Sequence, residues 1–431
     1  MATGARRSLV SVDLSQAEER ISDEAHTRLQ ETIAGFGAKL EEIQRQLPAL
    51  ELPFQMRETE MDTIRSVALE LQANSEVVVI LGTGGCQLAA RCLVESFDTP
   101  LSADERRVVY IGHHLSPDHV ANVLEELSHY KIGALACCIG EPPLEFLVWL
   151  RLLRSLLDTR HGRQEGQRRL VLVCDSACRT LQDLAKADHQ RLFKISDKAS
   201  TQHSAFTAVG LLPAAVAGID ITQVVEGARS LARSMDKTPF SNNPCFRYAA
   251  CRHALVAEEG LPESLVLMDP FLHALGDWWR HLVGGNLPPG SQACPPMAVH
   301  LANDIYTLGT WYGGETPERV ESFLRIGQHL EDLKIPGLDD DLDRLRGFAG
   351  RKVSELYRGF AQTVRSRHRE LGMVTMELEL QKLDAFSLGA LLCFLETAVA
   401  VDRKLRGRKT FQDSSVALRV PDMPAVAETT G

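Results

Sequence analysis

The spacing of apolar positions changes character along this chain, and the changes mark out its elements. Between residues 14 and 49, Leu29, Ile33, Phe36, Leu40, Ile43 and Leu47 recur at helical intervals among charged residues. That spacing predicts one or two N-terminal helices packed on the outside of the body. A further helix is expected from Glu58 to Gln72. The run Val77, Val78, Val79, Ile80, Leu81 is short, apolar and rich in β-branched residues, as in a strand buried on both faces of a parallel sheet. Glycines follow at once, then a helical stretch from about Cys86 to Phe97.

The alternation continues. Strands are expected at Arg107–Gly112, Ile132–Ile139, Leu170–Cys174 and Leu192–Ile195, with helices from Ser116 to Leu127 and from Pro142 to Leu157. The segment from His161 to Arg169 reads as a polar loop. A second unit follows the helix Gln223 to Met235. It has a helix at Cys245–Glu259, a strand at Ser264–Met268, a helix at Pro270–Leu282 and a strand at Pro296–Leu301. A long helix is expected from Leu342 to Leu371, then a strand to Leu380 and an apolar helix from Ser387 to Leu405. Strands alternating with helices predict an α/β fold with doubly wound parallel sheets, an αβα sandwich in each unit. The divisions expected are a helical arm over 1–60, domains over 61–236 and 237–420, and a loosely ordered tail over 421–431.

Composition narrows the function more than the fold. The 431 residues carry 47 Lys and Arg against 57 Asp and Glu, a net charge of -10. This balance argues against a nucleic-acid partner. No segment reads as a signal peptide or a membrane span, so a cytoplasmic location is expected. The 10 cysteines sit mostly in apolar segments, as buried thiols do in a reducing compartment. Cys174 and Cys178 lack a matching pair, and His113-His114 lies apart from them, so neither a metal nor a cofactor is expected.

The turn Gly82-Thr83-Gly84-Gly85-Cys86 lies between strand and helix, where backbone N–H groups and a helix N-terminus favour an anion. It is a poor dinucleotide fingerprint, because Gln87 occupies the third glycine position. A packing turn without a ligand is the plainer reading of these residues alone.

Three segments together resemble the phosphoglucose isomerase family, built from two sugar-isomerase (SIS) domains. Leu81 to Leu88 is similar to the family's G-I-G-G-S-x-L turn. Ala208-Val-Gly-Leu-Leu-Pro-Ala-Ala-Val-Ala-Gly-Ile-Asp220 resembles its A-V-G-L-L-P-A-A-x-A-G-I-D helix. Ser387-Leu-Gly-Ala-Leu-Leu392, continuing through Glu396 to Ala400, is similar to its T-L-G-A-L-I-x-x-x-E helix. The order and spacing agree from about residue 20 to 420. The resemblance implies aldose–ketose isomerisation of a hexose 6-phosphate, in which a Glu takes a proton beside the carbonyl, an Arg stabilises the enediolate and a hydroxyl-rich loop holds the phosphate.

The positions implied to carry that chemistry are changed. Gln202 stands at the Arg position, Gly285 at the Glu position, Tyr306 at the ring-opening His position and Val420, beside Arg419, at the C-terminal Lys position. The phosphate loop aligns with Cys138-Ile139-Gly140-Glu141-Pro142-Pro143, which has no hydroxyl, two prolines without N–H donors and a carboxylate. The candidate cleft therefore comprises Gly82, Thr83, Gly84, Gly85, Cys86, Cys138, Glu141, Gln202, His203, Ser204, Asp304, Tyr306 and Arg419. Glu145, His281 and His300 join Glu141, His203 and Asp304 as acid–base candidates, though a lone histidine is commonly structural. Two readings lead: a pseudo-isomerase acting through a small-molecule ligand or protein contacts, and a repurposed cleft with new chemistry. An active divergent isomerase is a third. The resemblance implies a homodimer, and a degenerate site makes a heteromer with an active relative or a pathway enzyme conceivable.

Overall fold

The computed structural model describes residues 9–97, 107–287, 294–301, 303–306 and 318–408. Two five-stranded sheets organise it. The first has strand order β3-β2-β4-β5-β6, with β2 Val77–Leu81, β3 Arg107–Ile111, β4 Ile132–Cys138, β5 Leu170–Cys174 and β6 Leu192–Lys194. All of its pairings are parallel. Every residue of β2, β4 and β5 is buried, as the unbroken apolar runs require of strands covered on both faces.

The second sheet has the order β1-β10-β9-β7-β8, with β1 Val10–Asp13, β7 Glu263–Leu267, β8 Met297–His300, β9 Val320–Gln328 and β10 Val374–Lys382. Its pairings are parallel except at β1, which lies antiparallel on β10. Two of these strands differ from the sequence expectation. The N-terminal segment, read as helical, opens with β1, and its helices Ser15–Arg20, Asp23–Ala34 and Leu40–Gln46 follow. The strand β9 has no counterpart in the apolar pattern, because Glu321 and Ser322 interrupt it. Both are buried: Glu321 is paired with His368 Nδ1 at 2.7 Å, and Ser322 with the Tyr248 hydroxyl at 2.9 Å. Polar residues satisfied by neighbours from another part of the chain hide a strand from any one-dimensional pattern.

Two helix expectations are also corrected. The long helix predicted from Leu342 is shorter, Val353–Glu370, and residues 329–352 form an irregular excursion instead. The polar segment after His161 is a helix, Arg163–Arg169, whose Arg169 donates to the Asn74 and Ile132 carbonyls near β2 and β4.

The two units are locked by backbone-close helix packing. In the helix Ala385–Leu405, a Cβ at Gly389 would lie 1.9 Å from the Val224 carbonyl oxygen. In the helix Ile221–Ser234, a Cβ at Gly227 would lie 1.8 Å from that of Phe386. The glycines thus set the spacing of this helix pair, and any side chain would force it apart. The helix Ala385–Leu405 is long and apolar enough to cross a membrane, but most of it is buried inside the protein. Near its end, buried Asp402 accepts from Asn286 Nδ2 (2.6 Å) and Arg406 Nε (3.1 Å) and lies 2.8 Å from His253 Nδ1. Burial opposes its charge. The His253 contact and the charges of Arg252 and Arg406 outweigh burial and hold its carboxyl below the usual range.

Candidate functional site

In an open parallel sheet, ligands bind beyond the strand C-termini where the strand order reverses. In the first sheet that point is the end of β2, between β3 and β4. The chain leaves β2 through Gly82 and turns at Gly84 (φ 51°) into the helix Gly85–Glu95. Only glycine fits at Gly85: a Cβ there would lie 1.7 Å from the Thr201 carbonyl oxygen and 2.5 Å from His281 Nε2. The helix His273–Gly284 packs on this helix and carries His281 to the turn.

Gln202 and Gly285 meet at the same place. A Cβ at Gly285 would lie 2.4 Å from Gln202 Nε2 and 2.8 Å from its Cδ, so the Gln202 side chain lies over the glycine. Gln202 is buried, and its Oε1 accepts from the Thr201 hydroxyl at 3.1 Å. The structure therefore gathers Gly84, Gly85, Thr201, Gln202, His281 and Gly285 into one locus. Its one titratable side chain is His281, whose pKa burial lowers despite a contact with the Thr201 backbone. A neutral imidazole here can accept a proton, but no guanidinium or carboxylate stands beside it among these six residues.

The loop after β4 is held by carboxylates. Glu141 accepts from the Arg179 N–H and the Thr180 hydroxyl, both at 3.0 Å, at the start of the helix Arg179–Asp188. Asp175 Oδ1 accepts from the Gly140 and Cys178 N–H groups, each at 3.0 Å. The N–H of Gly140 is thus satisfied from within the protein. The Cys178 thiol meets those of Cys138 and Cys174; hydrogen bonding to Cys178 together with burial raises the pKa of Cys138 and Cys174, and the same bonds lower that of Cys178 to about 4. Cys86 touches the Ile139 backbone, and burial pushes its thiol up to about 12. The three thiols are packed in the interior, as is common for cysteines.

These contacts give several of the cleft candidates partners within the protein. Glu141 is a helix cap, and Cys138 belongs to the thiol group. Ser204 is wholly buried and holds Thr207 at the next helix start. His203 points to the last helix, with Nδ1 3.6 Å from Glu396 Oε2. Burial raises the pKa of Glu396, opposed by the hydrogen bond and charge of His203. Asp304 caps its own turn, accepting from the His300 N–H at 2.7 Å, and Tyr306 is 87% exposed. Arg419 and Val420 lie outside the described residues. His281 is the residue that the motif comparison did not place in the cleft; the signal was available in its position one helical turn before Gly285.

No family model matches the chain. Among curated proteins it is 28% identical over 374 residues to glucose-6-phosphate isomerase of Lactococcus lactis, covering 85% of this chain and 84% of that one. It is 26% identical over 416 residues to the Clostridium perfringens enzyme of the same name, covering 94% and 92%. Among solved structures, a hypothetical protein of Thermus thermophilus superposes with a TM-score of 0.80 at 21% identity over 94% of this chain and 97% of the other. A glucose-6-phosphate isomerase of Chlamydia trachomatis superposes with a TM-score of 0.75 at 14% identity, over 94% and 85%.

Proposed function

We propose that this chain, a homologue of the glucose-6-phosphate isomerases along most of its length, is an isomerase-like protein without the isomerase reaction, acting in the cytoplasm through ligand or protein contacts. The observation that carries this reading is the Gln202–Gly285 contact. The resemblance puts the enediolate-stabilising Arg and the proton-abstracting Glu at these two positions. Here a neutral amide lies over a residue with no side chain, so neither the base nor the positive charge is supplied there. The Glu141 cap supports the reading, since it places a carboxylate where the resemblance puts a phosphate cradle.

The test is a coupled assay of the purified protein with glucose 6-phosphate and, in reverse, with fructose 6-phosphate. Turnover indistinguishable from the no-protein control is expected. A rate comparable with an ordinary isomerase overturns the proposal.

One observation favours a second reading, a cleft with new chemistry. His281 brings an imidazole, kept neutral by burial, against the glycine turn. If it acts as a base, a His281→Asn variant abolishes turnover of whatever substrate a screen of sugars and sugar phosphates finds. A variant with undiminished turnover dismisses that role.

The proposal includes a homodimer. It is supported by the excursion over 329–352, which leaves Leu330, Leu333, Leu338 and Leu342 between 60% and 91% exposed. Light scattering is expected to give twice the 47.6 kDa chain mass. A monomer at micromolar concentration counts against it and turns attention to a heteromer.

A further inference from the structure

The segment that leaves β3 carries three histidines, and their rings meet. His113 and His114 pack edge to face with centroids 4.5 Å apart, and His114 and His119 do so at 4.4 Å. The backbone of His114 is held from the helix Leu144–His161, where Trp149 Nε1 donates to the His114 carbonyl at 2.7 Å. The ring Nδ1 of His114 is buried without a hydrogen-bond partner among the described residues.

This segment starts on the glycine turn. At Gly112 (φ 105°) a Cβ would stand 2.8 Å from the Gly82 carbonyl oxygen and 2.6 Å from Leu81 Cδ1. The Gly82 N–H donates to the Ile111 carbonyl at 3.1 Å. Gln87, the residue that breaks the dinucleotide pattern, completes the junction. Its Nε2 donates to the same carbonyl at 3.3 Å and lies 3.2 Å from His113 Nδ1.

Those two contacts assign the proton on His113. A carbonyl oxygen only accepts, so the end of the Gln87 amide that faces it is the NH2. His113 Nδ1 faces the same NH2 and is therefore an acceptor, which puts the ring hydrogen on Nε2. A proton added at Nδ1 sets two donors against each other. The groups around the ring do not compensate. They are Gln87 and Arg91, one turn apart on the helix Gly85–Glu95, with His114 beside it and His119 in the helix Pro117–Leu127; none is a carboxylate. Glu95 is engaged by Arg91 at 2.6 Å. His113 is exposed overall, yet desolvation of its ring, then His114, Arg91 and His119, hold its pKa below the ordinary 6.5.

We propose that Gln87 and His113 form an acid-sensitive latch, which holds residues 112–119 on the glycine turn while His113 is neutral and releases them when Nδ1 takes a proton. Release returns His113 to its ordinary affinity for protons. The latch is therefore intact above pH 6.5 and weakens as pH falls from there through the lowered value. It does not depend on whether the cleft retains chemistry.

Hydrogen–deuterium exchange of the full chain, read by mass spectrometry at about pH 7.5 and about pH 5 and corrected for the intrinsic effect of pH, tests this. In the parent, protection of peptides within 112–127 is expected to fall about tenfold at the lower pH, while peptides from β4 keep theirs. His113→Asn puts a neutral carbonyl acceptor in place of Nδ1 and is expected to keep the segment protected at both pH values. Gln87→Met removes the donor and is expected to give low protection at both. Far-ultraviolet circular dichroism checks that each variant is folded, and His113→Asn, at an exposed position, decides the matter if Gln87→Met unfolds. Protection in the parent that pH leaves unchanged overturns the latch. So does a fall shared equally by β4, or one that His113→Asn retains in full.

Discussion

The pairing of the helices Ile221–Ser234 and Ala385–Leu405 and the locus around Gly285 both rest on glycines in close contact, yet they differ in what those contacts do. At the helix pair, Gly227 and Gly389 face backbone carbonyls across the junction. Backbone cannot move without moving a helix, so the glycines are structural necessities. At the cleft, Gly285 faces the Cγ, Cδ and Nε2 of the buried Gln202, a side chain rather than backbone. The segments that resemble the isomerase family therefore include those that fix the scaffold, while the changed position Gly285 meets a side chain instead of backbone. A scaffold can outlast its chemistry because the two depend on different atoms.

The largest effect is expected next to the helix pair. Asp402→Ala removes the acceptor shared by Asn286 and Arg406 and the partner of His253, and leaves the buried Asn286 donor and the part-buried Arg406 charge unmatched at that point. A loss of about 3–5 kcal/mol is expected from the denaturant midpoint. A loss below about 1 kcal/mol would mean that the network relaxes to water. Gly389→Ala comes next, costing about 3 kcal/mol by overpacking. Gly285→Ala has only a flexible side chain to displace and is expected to cost less than about 1 kcal/mol. If Gly285→Ala proves the more destabilising of the two, the contrast between the regions fails.

The smallest effect is one of pH dependence. Glu396 has its pKa raised in the fold, chiefly by burial. Below the unfolded-state value, near 4.5, both states hold the proton and the group contributes no pH dependence. Between that value and the raised one, the fold keeps a proton that the unfolded chain has lost, so stability falls as pH rises through this window. Glu396→Gln removes that slope, and its stability relative to the parent is expected to improve as pH rises above the unfolded-state carboxyl value in urea melts. An unchanged slope would show that the His203 contact, rather than burial, governs the carboxyl.

Most of the first sheet could be read along the chain. Its strands are continuous apolar runs, and each helix start follows them closely, so local pattern and tertiary burial agree. The second sheet was less legible. Its strand β9 carries Glu321 and Ser322, whose partners His368 and Tyr248 come from distant segments. Its edge strand β1 is only four residues long and is defined by pairing with β10, more than 360 positions later. For the site, the motif comparison brought Gly85, Gln202 and Gly285 to attention, but it could not show that Gln202 covers Gly285 or that Glu141 caps a helix.

What the sequence determined by itself is the alternation of strand and helix, the glycine turn after β2 and the residue types at the implied catalytic positions. Each of these is a local property, set by side-chain size, branching, backbone freedom and charge. What only the tertiary structure decided is direction and partnership. It turned Gln202 and His203 to opposite faces of one short loop, closed the region after β4 with Asp175 and Glu141, and set the rings of His113, His114 and His119 together beside Gln87. Those outcomes depend on which distant groups arrive within hydrogen-bonding or Coulomb range, and distance in space is the one quantity that spacing along a chain does not contain.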